Sequence, residues 1–188
     1  MEQICAPGVL EQHTVMAAAQ VSIRFLESED ADAVYKAVDE SREEIAEWMD
    51  WCRESYSLVD AAQWIQSNAS NRHTGSAFEF GIFDKDGSLL GACGLNHINK
   101  QVRLANLGYW VRTSAAGRGV AVAAVSKLVS WAFTNTDLHR LEIITATANH
   151  RSQRVAEKVG AAREGVLKSR LIVFDCFQDA VMYSIIRE

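Results

Sequence analysis

The chain has 188 residues, enough for one domain with a core of its own. It is 48% apolar and 23% charged, the balance of an ordinary globular protein, and its net charge of −5 argues against a nucleic-acid surface as the main partner. No apolar run is long enough to cross a membrane. The four cysteines, Cys5, Cys52, Cys93 and Cys176, form no Cys-x-x-Cys pair, which points to free thiols in a reducing, cytoplasmic compartment and away from a zinc site.

Met1 to Gln20 lacks a basic start followed by an apolar core, so it is no secretory signal. It reads as an N-terminal extension (residues 1–20), with the only proline, Pro7, ahead of a single domain over residues 21–188. Val21 to Glu27 alternates apolar and polar like a half-buried strand. Ser28 is placed to cap a helix over Glu29 to Val38. A second short helix covers Ser41 to Met49 and carries Trp48, with Trp51 just beyond. Leu58 to Asn71 comes next as a third helix, its Leu58, Ala61, Trp64 and Ile65 at helical spacing.

The period then changes to two. Ala77 to Phe83 is a predicted strand, Asp84-Lys85-Asp86-Gly87 a hairpin turn, Ser88 to His97 the return strand and Val102 to Arg112 the next. The main helix is predicted from Ala116 to Phe133, with Ala121, Ala124, Val125, Leu128 and Ala132 as its buried stripe. Arg140 to Thr147 is a strand, and Arg151 to Lys158 a helix ended by Gly160. Arg163 to Phe174 and Ala180 to Arg187 close the chain as strands.

The most informative stretch is Leu107 to Ala121, an aromatic strand that runs into Gly117-Arg118-Gly119 and then into the main helix. Glycines let a backbone approach a ligand closely, and the first helical turn offers unpaired N–H groups at the positive end of the helix dipole. Together these make a phosphate site. A P-loop is excluded because Val120 stands where Lys-Ser/Thr is needed. A dinucleotide fingerprint fits poorly, with Val122 at the third glycine position and antiparallel strands ahead of the motif. A glycine turn that binds nothing remains a simple alternative.

A meander, a glycine turn and then helix–strand–helix fit a third family. The chain resembles the GNAT superfamily of N-acetyltransferases, and within it the branch of ribosomal-protein N-terminal acetyltransferases. The resemblance covers residues 21 to 187. Ser114-Ala115-Ala116-Gly117-Arg118-Gly119 is similar to the family's Gln/Arg-x-x-Gly-x-Gly/Ala loop, with Ser114 in place of the long polar residue. Asn149-His150-Arg151-Ser152 matches the branch's Asn-x-x-Ser. Ala156 to Ala161, Glu164 to Leu167 and Asp179 to Tyr183 match its next helix, the strand after that helix and its last strand. Glu43 to Trp51 resembles its substrate-side helices.

The resemblance implies an α+β sandwich: a mixed, largely antiparallel central sheet of about seven strands flanked by helices, with a splayed strand pair holding acyl-CoA. It implies acetyl-CoA as co-substrate, with another acyl-CoA as an alternative donor, and no metal. Backbone N–H groups of Gly117, Arg118, Gly119, Val120 and Ala121 would take the pyrophosphate, and Val111 and Arg112 would pair with the pantetheine as an added strand. Asn149 would bond the pantetheine arm; an asparagine there is also a natural helix N-cap. Ser152 would donate to the thioester sulfur or the leaving thiolate, or be a first-turn serine without chemistry. Tyr109 sits where the strands would splay and joins Ser152 as a catalytic candidate. Arg118 is equally a solvated loop arginine.

The proton acceptor is where the chain departs from the pattern. Relatives carry glutamates at the positions of Asn106 and Leu171. Glu79, Glu43, Asp175 and His97 are the substitutes in view, against the ordinary reading of exposed acids and a strand histidine. Without a strong base, an α-amine of pKa near 8 is easier to use than a lysine near 10.4. Trp48, Trp51, Glu79, Asn96 and Arg170 are the candidate acceptor-side residues, the tryptophans and Trp64 being core residues otherwise. Arg170 would suit an acidic acceptor or an acidic acyl group.

The expected activity is acetyl transfer to a primary amine, either a protein N-terminal α-amine or a small molecule, in a ternary complex. A non-catalytic CoA-binding regulator and an aminoglycoside-type drug acetyltransferase are the alternatives, and an acid-rich pocket would favour the latter. The expected partners are the acyl-CoA and the amine, without membrane or direct nucleic-acid contact. Relatives associate through their last strands, so a homodimer is open.

Overall fold

The computed structural model describes residues 19–188. The expected N-terminal extension, with Cys5 and Pro7, lies outside them except for its last two residues. Seven strands form one sheet: β1 (Ser22–Phe25), β2 (Phe78–Phe83), β3 (Leu89–Asn99), β4 (Leu104–Val111), β5 (Arg140–Ala146), β6 (Ala162–Val173) and β7 (Cys176–Ile186), in the order β1-β2-β3-β4-β5-β7-β6. Every neighbouring pair is antiparallel except β4 and β5. Five helices flank it: α1 (Ala31–Glu40), α2 (Arg42–Ala46), α3 (Leu58–Thr74), α4 (Val120–Asn135) and α5 (His150–Lys158).

Two separate cores cover the two faces. Val34, Ala37 and Val38 of α1, Ile45, Cys52, and Ala61 and Ile65 of α3 bury against Leu26, Phe83 and Leu89. Ala124, Val125, Leu128 and Ala132 of α4 pack with Phe80, Ile82, Leu95, Leu107, Leu141, Ile143 and Tyr183 on the other side. The expected stripe of α4 is therefore the buried one, although Ala121 is only half-buried.

Several boundaries shift by one to three residues from the expectation, α3 running on to Thr74 and β3 to Asn99, and four differences bear on the local structure. Ser28 is not the cap of the first helix. Glu27 holds the N-cap position of a 3-10 turn, and Asp30 returns its carboxylate to the Glu27 N–H at 2.8 Å. The Ser28 hydroxyl goes instead to Glu29. The main helix starts at Val120, since Gly117 (φ 74°) and Gly119 (φ 78°) take left-handed conformations that a helix cannot continue through. The helix over α2 stops at Ala46. Strand β7 begins at Cys176, four residues early, because Phe174 (φ 47°) and Asp175 (φ 63°) form a two-residue turn with both central residues at positive φ, so β6 and β7 pair as one hairpin from Val173–Cys176 onward. No Gly or Asn marks that turn in the sequence.

The feature that creates a site is a parting of strands. Pairing of β4 with β5 is confined to Leu104–Asn106 against Arg140–Glu142. Beyond it β4 stays with β3 as far as Val111, while β5 stays with β7 as far as Ala146. Between Leu107–Val111 and Ile143–Ala146 the sheet is open, and the β4 edge there has no strand partner among the described residues.

Candidate active site

One side of the opening leads to the glycine turn. Gly119 is the N-cap of α4 and supplies no side-chain cap. The first helical bond runs from Ala123 N–H to Gly119 O at 3.0 Å, so the N–H groups of Val120, Ala121 and Val122 find no backbone acceptor among the described residues. A Cβ built on Gly117 or Gly119 would meet nothing within 4 Å, so both glycines face open space. They border a depression of about 820 Å3 lined also by Lys85, Arg118, Lys127 and Lys158, with Asp84 as its acid. Free N–H groups at a helix N-terminus, ringed by four cations, match a pyrophosphate and a further phosphate, and so fit CoA. The three lysines were not legible as a group, because they come from a hairpin turn and two different helices.

The loop between β4 and α4 is braced from α1. Glu40 accepts from Arg112 Nε (2.9 Å), Arg112 Nη2 and the Ser114 N–H (2.9 Å), while the buried Ser41 hydroxyl accepts from the Thr113 N–H (2.8 Å). Arg112 also reaches Leu89 O at 3.2 Å. The Arg112 guanidinium beside it, with the Ser114 N–H, holds the Glu40 carboxyl down at about 2. The Arg112 side chain is thus engaged with the protein, and so is its backbone, whose N–H donates to Leu90 O at 2.8 Å and whose carbonyl accepts from the Ala115 N–H at 3.0 Å; the expected pantetheine pairing at Arg112 finds both groups taken.

In the gap itself stands Tyr109. Its hydroxyl reaches across to the start of α5, 3.1 Å from Ser152 O and 2.9 Å from Ser152 Oγ. Burial pushes the phenol up to about 12, so it stays protonated. A proton donor pair therefore bridges the two arms of the opening. Asn149 caps α5, its Oδ1 accepting from the Ser152 N–H at 3.0 Å, and this leaves its amide nitrogen for another partner.

The other side of the opening is a cavity of about 570 Å3. Trp51, Tyr56, Trp64, Tyr109 and Trp110 wall it, the Trp51 ring lying 5.7 Å from that of Tyr56 and 6.3 Å from that of Trp110. Val34 and Val38 of α1 and Met49 complete the apolar lining. The polar lining is Arg53, Ser55, Asp60, Glu79, Cys93 and Asn96.

Glu79 is the half-buried carboxylate of this cavity. It sits on β2 directly opposite Gly94 of β3, and a Cβ on Gly94 would lie 1.9 Å from Glu79 Oε2. Only glycine leaves room for the carboxyl. Burial pushes Glu79 from 4.5 up to about 7, opposed by the neighbouring Asn96 amide. Asn96 in turn accepts from Asn106 Nδ2 at 2.9 Å, a pair directly opposed across β3 and β4.

Of the sequence-predicted acceptor residues, Trp51, Glu79 and Asn96 meet here. Trp48 is half-buried on the segment after α2 and does not line the cavity, and Arg170 is exposed on β6, beside the irregular pairing between Leu167 and Leu171. Of the four candidate proton acceptors only Glu79 reaches the cavity. Glu43 is exposed on α2, Asp175 lies in the hairpin turn, and His97 is exposed at a bulge of β3 with φ 49°. Tyr56, Arg53 and Asp60 were missed, as nothing in their spacing distinguishes them from ordinary loop and cap residues. Cys52, Cys93 and Cys176 are free thiols.

The profile of the acetyltransferase (GNAT) domain family matches residues 20–162. The chain belongs to this family and is an acetyl-CoA-dependent N-acetyltransferase. It is 28% identical, over 89% of its length and 91% of the other's, to YdaF of Bacillus subtilis, provisionally named a ribosomal N-acetyltransferase. To the ribosomal-protein-serine acetyltransferase of Escherichia coli it is 24% identical, over 91% and 95% of the two chains. The solved structure of Mycobacterium smegmatis RimJ with a CoA disulfide superposes with a TM-score of 0.81 at 25% identity, covering 88% of this chain and 81% of that one.

Proposed function

We propose that this enzyme acetylates an α-amine, at the N-terminus of a peptide or on a small molecule, whose neighbouring groups are uncharged and apolar or aromatic. The observation that carries this is the cavity wall: five aromatic rings and the apolar side chains of Val34, Val38 and Met49 around one half-buried carboxylate. A polyamine or an aminoglycoside brings several positive charges and calls for several acids. The cavity offers Glu79 and Asp60, with Arg53 beside them, and the Asp60 carboxylate is engaged with the Ser57 N–H and hydroxyl at 2.8 and 2.6 Å.

Acetyl-CoA supplies the thioester that the amine attacks. The N–H groups of Gly117 to Ala121 hold the pyrophosphate, with Arg118, Lys127 and Lys158 as its counter-charges. The unpaired β4 edge up to Val111 receives the pantetheine as an added strand, and the Asn149 amide nitrogen donates to the same arm. Ser152 donates to the departing sulfur, and Tyr109 hydrogen-bonds the Ser152 hydroxyl so that its proton points into the gap. Trp51 and Trp110 hold the body of the acceptor.

The test is CoA release from acetyl-CoA with a panel of lysine-free peptides, aromatic and aliphatic amino-acid amides, spermidine and an aminoglycoside. A control without acceptor is needed because the cysteines react with thiol reagents. Turnover with α-amines bearing apolar or aromatic neighbours is the expected result. Preference for spermidine or the aminoglycoside would overturn the acceptor assignment.

A further inference from the structure

An amine reaches the site at neutral pH as an ammonium ion and must shed a proton before its lone pair can attack. The two positions where the family resemblance directs attention, Asn106 and Leu171, carry no acid. We infer that Glu79, reached from β2, is the catalytic residue that takes this proton, and that Asn96 and Asn106 are positioning residues that aim its carboxylate. The inference rests on the acetyltransferase reading and adds to it the proton acceptor.

Geometry argues for it in three ways. Glu79 lines the same cavity as Tyr109, whose hydroxyl is 2.9 Å from Ser152 Oγ, so the carboxylate and the end of the proton-donor pair face one acceptor. Its carboxyl lies against the Gly94 Cα, where only glycine leaves it room, and Asn96, itself bonded by Asn106 Nδ2, lines the same cavity beside it. It has no ion-pair partner among the described residues, so its charge is not spent on structure. The titratable groups that share the cavity are Arg53 and Tyr56 from the segment before α3, Asp60 on α3, Cys93 on β3 and Tyr109 on β4. Burial raises the Cys93 thiol and both phenols, so all three are neutral when Glu79 ionises.

The step balances. The Glu79 carboxylate takes one proton from the ammonium and later yields it to water at the cavity mouth. The nitrogen lone pair then forms the N–C bond as the C–S bond breaks, Ser152 delivers its proton to the sulfur, and the second proton leaving the nitrogen restores the Ser152 hydroxyl. The acceptor class is set by the same chemistry. With a carboxyl near 7, deprotonating an α-amine is unfavourable by about tenfold, and a lysine ammonium by more than about a thousandfold.

The experiment compares wild type and Glu79→Gln from pH 5.5 to 9, with a lysine-free peptide as acceptor and CoA titration as the binding control. The expected result is a loss of about 100-fold in kcat/KM at pH 7, disappearance of the acidic limb near pH 7, and unchanged CoA affinity. Asn96→Ala should move that limb to higher pH, which a merely structural asparagine would not do. A Glu79→Gln enzyme with the wild-type rate and limb overturns the inference. A wild type that binds CoA and acetylates no amine overturns the acetyltransferase reading itself, a different outcome.

Discussion

A carboxyl group held near 7 in a cavity leaves a thermodynamic signature apart from any turnover. Glu79 has an ordinary value of 4.5 when the chain unfolds and about 7 when it folds. Between those values the folded state keeps a proton that the unfolded state releases, so this group's contribution to stability falls as pH rises through the window and is level above it. Above pH 7 the half-buried charge costs up to about 3 kcal/mol. Glu79→Gln should therefore be the more stable protein at pH 8, with a Tm higher by roughly 5 °C, and the two Tm values should converge near pH 5. Thermal melts at the two pH values decide it, and an equal gap at both would show that Glu79 does not titrate in this window. The sequence put Glu79 among four candidates and had no means of choosing, because the choice depends on Gly94 lying opposite it, and strand register is not written in either residue alone.

At the scale of elements, α1 ties the two halves of the site together. Val34 and Val38 line the cavity proposed for the acceptor, and one turn later Glu40 and Ser41 hold the loop that leads to the N–H groups proposed for phosphate. Cutting that brace should loosen the loop without touching the reacting atoms. Glu40→Ala is expected to raise the KM for acetyl-CoA about tenfold, the equivalent of roughly 1.4 kcal/mol, with kcat changed less than twofold. Equilibrium titration with CoA checks it independently, and wild-type affinity would make the brace incidental. Because Glu40 is held near 2, the effect should be constant from pH 5 to 9. Most elements of this fold were legible, since hydrophobic period and turn residues mark helices and meander strands locally. The brace was not, for it joins residues more than seventy positions apart. Nor was the β6–β7 turn, where Asp175 tolerates positive φ but Phe174, a bulky residue that does not favour it, stands at φ 47°.

For the whole molecule, CoA seated in the parted sheet as proposed would be a structural component as well as a substrate. Its expected path runs from the N-terminus of α4, along the open edge of β4, to the Ser152 end of α5, and so fills the interval where β4 and β5 share no hydrogen bonds. A ligand that binds only the folded chain stabilises it by mass action, by about 2.7 kcal/mol at a hundred times its Kd. For a chain of this length that corresponds to a rise in Tm of roughly 5–10 °C. Gly119→Glu should abolish the rise. It puts a carboxylate at the helix N-terminus where the pyrophosphate would lie, and it forces a side chain into φ 78°. Strain alone would lower the Tm with and without CoA equally, so the difference between the two melts isolates binding. Lys127→Glu serves as the unstrained companion: it reverses one charge on the exposed rim of the depression and should shrink the CoA-induced shift, more at low salt than at high. If both variants keep the full wild-type shift, CoA does not run along this face of the molecule.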